Sequence, residues 1–337
     1  MRVRLWNAGP RQKVYAPGRF LTHPPGCARP ARPLGLARVR VFHSDSYEVP
    51  LPPGHRFPME KYRLLREALL ERGVLSPAAI TESTPCPRED LERVHTPRYL
   101  DALFHGTLTE AELRRLGFPW SPGLVQRFAA AVAGTIDAGR AALRDGIGGN
   151  LSGGTHHGFP DHGEGFCVFN DIAVAIRVLQ AEGALRRAVV VDLDVHQGNG
   201  TAAVFAGDDA VFTFSMHGEN NFPFRKQPSH LDVGLPDGTG DAEYLDALAL
   251  YLPEVLDRAG ACALFFQAGV DPLTEDALGR LSLTHAGLRE RDRLVLEAAR
   301  QRGIPVVLTL GGGYAKPLSA TIEAHVGTYE VARALFG

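Results

Sequence analysis

No stretch of this 337-residue chain approaches the ~18 consecutive apolar residues of a membrane-spanning helix. Its first twenty residues, MRVRLWNAGPRQKVYAPGRF, lack the apolar run of about 7–15 residues that marks a secretory signal. Cysteine is scarce. Cys27, Cys86, Cys167 and Cys262 lie far apart and form no CxxC, which argues against a cysteine zinc site and against a disulfide scaffold. These absences together point to the cytoplasm. A large excess of one charge is missing too: 36 Lys and Arg against 38 Asp and Glu leave −2. That balance excludes a polybasic nucleic-acid wrapper or membrane binder, so neither nucleic acid nor membrane is expected as a partner.

One absence is local. Residues 1–40 contain no Asp or Glu but eight Arg and one Lys, so this stretch is +9 and the rest of the chain −11. It is rich in Pro and Gly and has no apolar periodicity, so it buries too little to offset its ordering entropy. Residues 1–38 therefore read as a flexible basic extension, and 39–337 as the organised domain.

What is present is ordinary for a soluble globular protein: 45% apolar and 22% charged residues. Strand-like apolar runs occur at 37–43, Ala188–Leu193, Ala210–Met216, Ala263–Ala268 and Pro305–Leu310. Helical spacing occupies 59–73, 122–145, 170–183, 241–259 and 284–302. The alternation predicts a single α/β domain, a mostly parallel central sheet with helices on both faces. Ligands in such sheets bind outside the carboxyl ends of the strands.

Four segments carry chemistry at such ends. In VVVDLDVHQGNG (189–200), Asp192, Asp194 and His196 follow a buried strand at i, i+2 and i+4. Side chains two apart share a face, so the three can converge, and Asp with His suits a metal. In GGTHHGFPDHGEGFCVFND (153–171), His156 and His157 are adjacent in a glycine-rich loop, an arrangement suited to acid–base work beside a metal. In LFFQAGVDPL (264–273), a further strand ends in Asp271, a candidate third ligand. In VVLTLGGGYAKP (306–317), three glycines deliver Tyr314, whose hydroxyl can stabilise a developing oxyanion.

In order and spacing, these segments resemble the zinc-dependent histone deacetylase family, of arginase/deacetylase-like fold. The resemblance runs from about Val39 to the C-terminus and is strongest to the fourth class and its bacterial relatives. PLPPGHRFPMEKY (50–62), GFPWSP (117–122), DLDVHQGNG (192–200) and LGRLSLTHAGLRERD (278–292) carry it. It implies one catalytic Zn2+ on Asp194, His196 and Asp271. It further implies His157 as general base and then acid, His156 as its electrostatic partner, and Asp192 as the acid orienting His156. Tyr314 would bind the substrate carbonyl, and water would attack the amide directly. Gly165, Phe166 and Phe222 would line a narrow acyl-lysine tunnel. Asp192, Asp194 and Ser215 would line a structural K+ site. The sequence departs from the better-known members at Asn199, where they have an aspartate paired with the second histidine; the fourth class shares the change. The implied activity is removal of an acyl group from an acylated lysine side chain or a small acylated amine. An acetylpolyamine-type amidohydrolase and a weakly catalytic acyl-lysine binder are the alternatives.

Overall fold

The computed structural model describes Arg4–Trp6 and residues 39–337 apart from Glu48. Among the described residues nine strands form one sheet in the order β1-β7-β6-β5-β8-β9-β4-β2-β3. They are β1 (Arg4–Trp6), β2 (Arg40–His43), β3 (Ile80–Glu82), β4 (Ile147–Asn150), β5 (Ala188–Asp192), β6 (Val211–Gly218), β7 (Leu231–Leu235), β8 (Ala263–Gln267) and β9 (Val306–Thr309). Every pairing is parallel except that of β1 with β7, at the sheet edge. The expected α/β class with a mostly parallel sheet is what the chain forms. The extension read over 1–38 lies outside the described residues except for β1.

Every residue of β5, β6, β8 and β9 is buried, so the sheet centre is covered on both faces. Ten α-helices connect the described strands: α1 (Lys61–Glu71), α2 (Arg88–Leu91), α3 (Pro97–His105), α4 (Glu110–Leu116), α5 (Pro122–Asp145), α6 (Asp171–Ala181), α7 (Asn199–Val204), α8 (Asp241–Ala259), α9 (His285–Gln301) and α10 (Leu318–Phe336). They pack in two sets, α5 with α6, and α8 on α9 on α10 on α1. The longest, α5, starts where Ser121 Oγ accepts the Leu124 N–H at 3.1 Å, with Pro122 preset for the first turn, and stops at Gly146 at φ 94°.

Each helix and strand anticipated from the pattern is present, its ends displaced by a few residues at most. Two of those not anticipated, β4 and α10, have local reasons. Strand β4 is IGGN, with two glycines where strand formers are expected. A Cβ on Gly148 would lie 2.2 Å from the Ala138 carbonyl oxygen of α5, so close helix–sheet packing requires the glycine. Helix α10 mixes β-branched residues and a glycine into a surface buried along most of its length, which hides a clean amphipathic period.

Among the described residues no helix is long and apolar enough to cross a membrane. Cys86 and Cys167 are free thiols.

Candidate metal centre and active site

Asp194 and His196 lie in the loop after β5, and Asp271 in the loop after β8, its neighbour in the sheet. One ligand atom from each lies within 4.8 Å of the others, and all three side chains are buried. His196 Nδ1 is 3.0 Å from both Asp194 Oδ1 and Asp271 Oδ2. Backbone donors fix the carboxylates: Asp271 Oδ1 accepts the Val195 N–H at 2.8 Å, and Asp194 Oδ2 the Gly312 N–H at 2.7 Å. The triple-glycine loop thus does more than deliver Tyr314. A Cβ on Gly312 would sit 1.8 Å from Asp271 Oδ2, so only glycine brings the loop against the ligands. From α9, buried Arg291 donates to the carbonyls of Leu193 and Gly269, at 3.3 and 2.5 Å, and ties together the two ligand-bearing loops.

The cluster calls for a cation. Burial, then the charge of Asp194, pushes Asp271 up to about 7. Burial opposes charge on His196, yet Asp271 and Asp194 together hold it up to about 10. Two buried carboxylates around one imidazole are poorly compensated without further positive charge. Two oxygens and one nitrogen at strand ends, facing a cavity, suit a divalent metal with a position left for water and substrate.

The paired histidines stand beside the cluster with their ring centroids 4.1 Å apart. His156 Nδ1 is 2.7 Å from Asp192 Oδ2. Burial works against its charge, but Asp192 and Asp194 hold it up to about 9, so His156 is cationic near neutrality. His157 Nδ1 is 2.6 Å from Asn199 Oδ1. Burial, followed by the charges of His156 and His196, drives His157 well below 6.5, and it is neutral. Two adjacent imidazoles thus carry opposite protonation states.

A cavity of about 960 Å³ opens onto these groups. Gly165 and Phe166 are the central residues of a tight turn in which Glu164 and Cys167 exchange backbone hydrogen bonds of 3.2 and 2.9 Å. Both have positive φ, 55° and 67°, which is rare for an aromatic residue. The turn aims the Phe166 ring into the cavity wall, and such backbone outliers concentrate at ligand sites. A Cβ on Gly165 would lie 2.8 Å from His157 Cδ2 and 3.0 Å from Phe222, whose ring also lines the cavity. Tyr314 lines it as well. Burial pushes its phenol well above 10, so the hydroxyl keeps its proton, while its N–H donates to Asp276 Oδ2 at 2.6 Å. Asp192 and Ser215 are register partners across β5 and β6, and Ser215 Oγ is 3.0 Å from His217 Nδ1.

Every residue singled out in the sequence thus falls at or beside one site. Several were missed. Asp276 holds the Tyr314 backbone. Buried Lys61 donates from Nζ to the Gly311 carbonyl at 3.2 Å and lies 5.1 Å from the centroid of the Tyr314 ring. Glu164 accepts from Asn199 Nδ2 at 3.1 Å. Each is a single polar residue in a stretch with other polar residues, and only through-space contacts distinguish it.

Residues 55–329 match the histone deacetylase domain. An uncharacterized protein of Picosynechococcus sp. is 47% identical over 296 residues, covering 88% of this chain and 98% of its own length. "Histone deacetylase 2" of Arabidopsis thaliana is 31% identical, covering 86% of this chain and 78% of its own. Among solved structures, an HDAC homolog from Aquifex aeolicus superposes with a TM-score of 0.74 at 25% identity, covering 87% of this chain and 83% of that one. With the domain match spanning all four chemistry-bearing segments and the site they build, this chain belongs to the histone deacetylase family.

Proposed function

We propose that this protein is a zinc-dependent deacylase that hydrolyses the amide of an acylated lysine side chain in proteins. The observation that carries the reading is the convergence of three buried ligands, a cationic and a neutral histidine, and a protonated tyrosine at one cavity. Zinc on Asp194, His196 and Asp271 would act as a Lewis acid toward the carbonyl and ease deprotonation of the attacking water. His157 donates through Nδ1 to Asn199, which leaves the Nε2 lone pair to take that proton and later return it to the leaving amine. His156, held cationic by Asp192, favours the growing negative charge. Tyr314 donates its hydroxyl hydrogen to the carbonyl oxygen. Phe166 and Phe222 enclose the apolar stem of the acylated side chain. The same reading includes a structural K+ near Asp192, Asp194 and Ser215, supported by the Asp192–Ser215 register, a domain beginning near residue 39, and a cytoplasmic location.

The cavity mouth favours an acyl-lysine over a polyamine. Arg56, Arg114, Arg115 and Arg280 line it against one rim acid, Glu164, although the chain beyond residue 40 carries −11. Arg114 and Arg280 reach Glu110 and Asp237, both at 3.3 Å; Arg56 and Arg115 have no acidic partner among the described residues. Such a mouth repels a cationic acetylpolyamine and attracts acidic residues flanking an acyl-lysine. The test is kcat/KM for acetyl-lysine peptides flanked by Glu or by Lys, and for acetylputrescine. We expect the Glu-flanked peptide to lead by roughly tenfold at low salt, with the lead shrinking as salt rises and in Arg56→Glu/Arg115→Glu. Acetylputrescine as the best substrate would overturn the acyl-lysine reading, and no turnover of any of them would overturn the deacylase reading.

The protonation state of His157 gives a pH prediction. An aspartate at 199 would favour the charged imidazole, and a base must be neutral to accept a proton. Asn199→Asp is therefore expected to move the acidic limb of kcat/KM upward, with activity lost toward pH 6. An unmoved limb in a zinc-retaining variant would mean that His157 is not the base.

A further inference from the structure

An asparagine beside a histidine poses a problem that an aspartate does not. A carboxylate only accepts, so it can face only the N–H of the imidazole and fixes which ring nitrogen carries the proton. A primary amide presents an oxygen that accepts or an NH2 that donates, and nothing in the amide itself selects between them. If Asn199 turned its NH2 toward His157, Nδ1 would have to accept. The proton would then sit on Nε2, the nitrogen that must be free to act as base. Asn199 and His157 alone leave this choice open.

We propose that Glu164 is the positioning residue that makes the choice. Its carboxylate accepts from Asn199 Nδ2 at 3.1 Å, while Asn199 Oδ1 lies 2.6 Å from His157 Nδ1. A carboxylate has no hydrogen to give, so it draws the NH2 toward itself and turns the amide oxygen to the imidazole. His157 must then donate from Nδ1 and keep its Nε2 lone pair. The amide is sandwiched between an obligate acceptor and an imidazole that takes whichever role is left.

The local fold places Glu164 for this role. It opens the tight turn whose Gly165 and Phe166 have positive φ, and both backbone bonds between Glu164 and Cys167 close that turn. The Gly165 N–H donates to the Arg115 carbonyl at 3.2 Å and the Phe166 N–H to the Leu116 carbonyl at 2.9 Å, anchoring the turn to α4. Asn199 is the first residue of α7 and is buried. One turn therefore supplies the cavity wall through Phe166, leaves room for His157 through Gly165, and orients its relay through Glu164. The charge absent from position 199 is supplied one hydrogen bond further out.

The inference rests on the deacylase reading for its consequence, but its structural content can be tested without substrate. The measurement is 15N NMR of histidine-labelled, zinc-replete protein, with His157 assigned by its absence from His157→Gln. Wild type should show His157 protonated on Nδ1. In Glu164→Gln the new amide can accept or donate, both orientations of Asn199 become available, and an Nε2-protonated population should appear. Glu164→Met removes the acceptor and should do the same. Loss of partners of this kind costs about 10–100-fold in activity, expected here in kcat/KM with zinc content unchanged. The decisive comparison is Glu164→Gln in an Asn199→Asp background. Aspartate fixes the Nδ1 proton unaided, so the Gln substitution should leave the tautomer alone and cost less kcat/KM than it does beside Asn199, the loss of the Glu164 rim charge being common to both backgrounds. A single Nδ1-protonated form in both Glu164 variants, or equal losses in both backgrounds, would overturn the role given to Glu164. A tautomer change in a protein that hydrolyses no acyl-amine would uphold it and reject the deacylase reading instead.

Discussion

Asp271→Ala is expected to remove the metal and the hydrolysis together. Asp271 is the candidate ligand in the loop after β8, and the other two come from the loop after β5. Without it one carboxylate and one imidazole remain, too few for a site that holds its metal with three protein ligands. The substitution also strips His196 Nδ1 of one of its two carboxylate partners, both at 3.0 Å, and leaves the Val195 N–H without its acceptor. Metal content should fall from one per chain to near zero by elemental analysis. Loss of a Lewis acid contributing several kcal/mol to the transition state corresponds to on the order of 10³-fold or more in kcat/KM. The domain should remain folded, because the carboxylate removed is held up to about 7 by burial and by repulsion from Asp194. Full metal occupancy in this variant would show that Asp271 is not a ligand.

Tyr314→Phe is expected to keep the metal and lose rate. The ring packs against Phe57 and Phe166, with centroids 6.2 Å away in both cases, and the backbone N–H is held by Asp276. Phenylalanine preserves all of these contacts and removes only the hydroxyl. Burial keeps that hydroxyl protonated, so across the working pH range it is a donor and never an oxyanion. Removing one oxyanion donor costs on the order of 10²–10³ in turnover. The loss should fall on kcat rather than on KM, because the bond strengthens as charge develops on the oxygen. Near-normal kcat in Tyr314→Phe would make Tyr314 a packing residue and leave the cavity without its oxyanion donor.

The two predictions differ in how far the sequence alone carries them. Asp194, His196 and Asp271 were legible as candidates because continuous apolar runs with polar ends read as buried parallel strands, although Asp194 and His196 lie in the loop beyond β5 and not on the strand itself. Tyr314 was legible as the residue a glycine loop delivers, but the reason for the glycines was not. Gly312 is needed because its Cβ would collide with Asp271, a residue 41 positions earlier that no local pattern links to it. Strand β4 escaped detection for a similar reason, since its glycines answer to the Ala138 carbonyl of a helix rather than to strand propensity.

By itself, the sequence determined the α/β class, the alternation of the central strands and helices, the three candidate ligands, the paired histidines and the departure at Asn199. Each depends on periodicity or on residues a few positions apart. Only the tertiary structure decided what Asn199 does, which charges ring the cavity, and what steadies Tyr314 and the ligand loops. Those depend on Glu164, the four rim arginines, Asp276, Lys61 and Arg291, drawn from turns and helices far apart in the chain. An amide is ambiguous until its neighbour is known, and a surface charge has no address until the fold gathers it. Both are properties of distances through space, which a linear pattern does not contain.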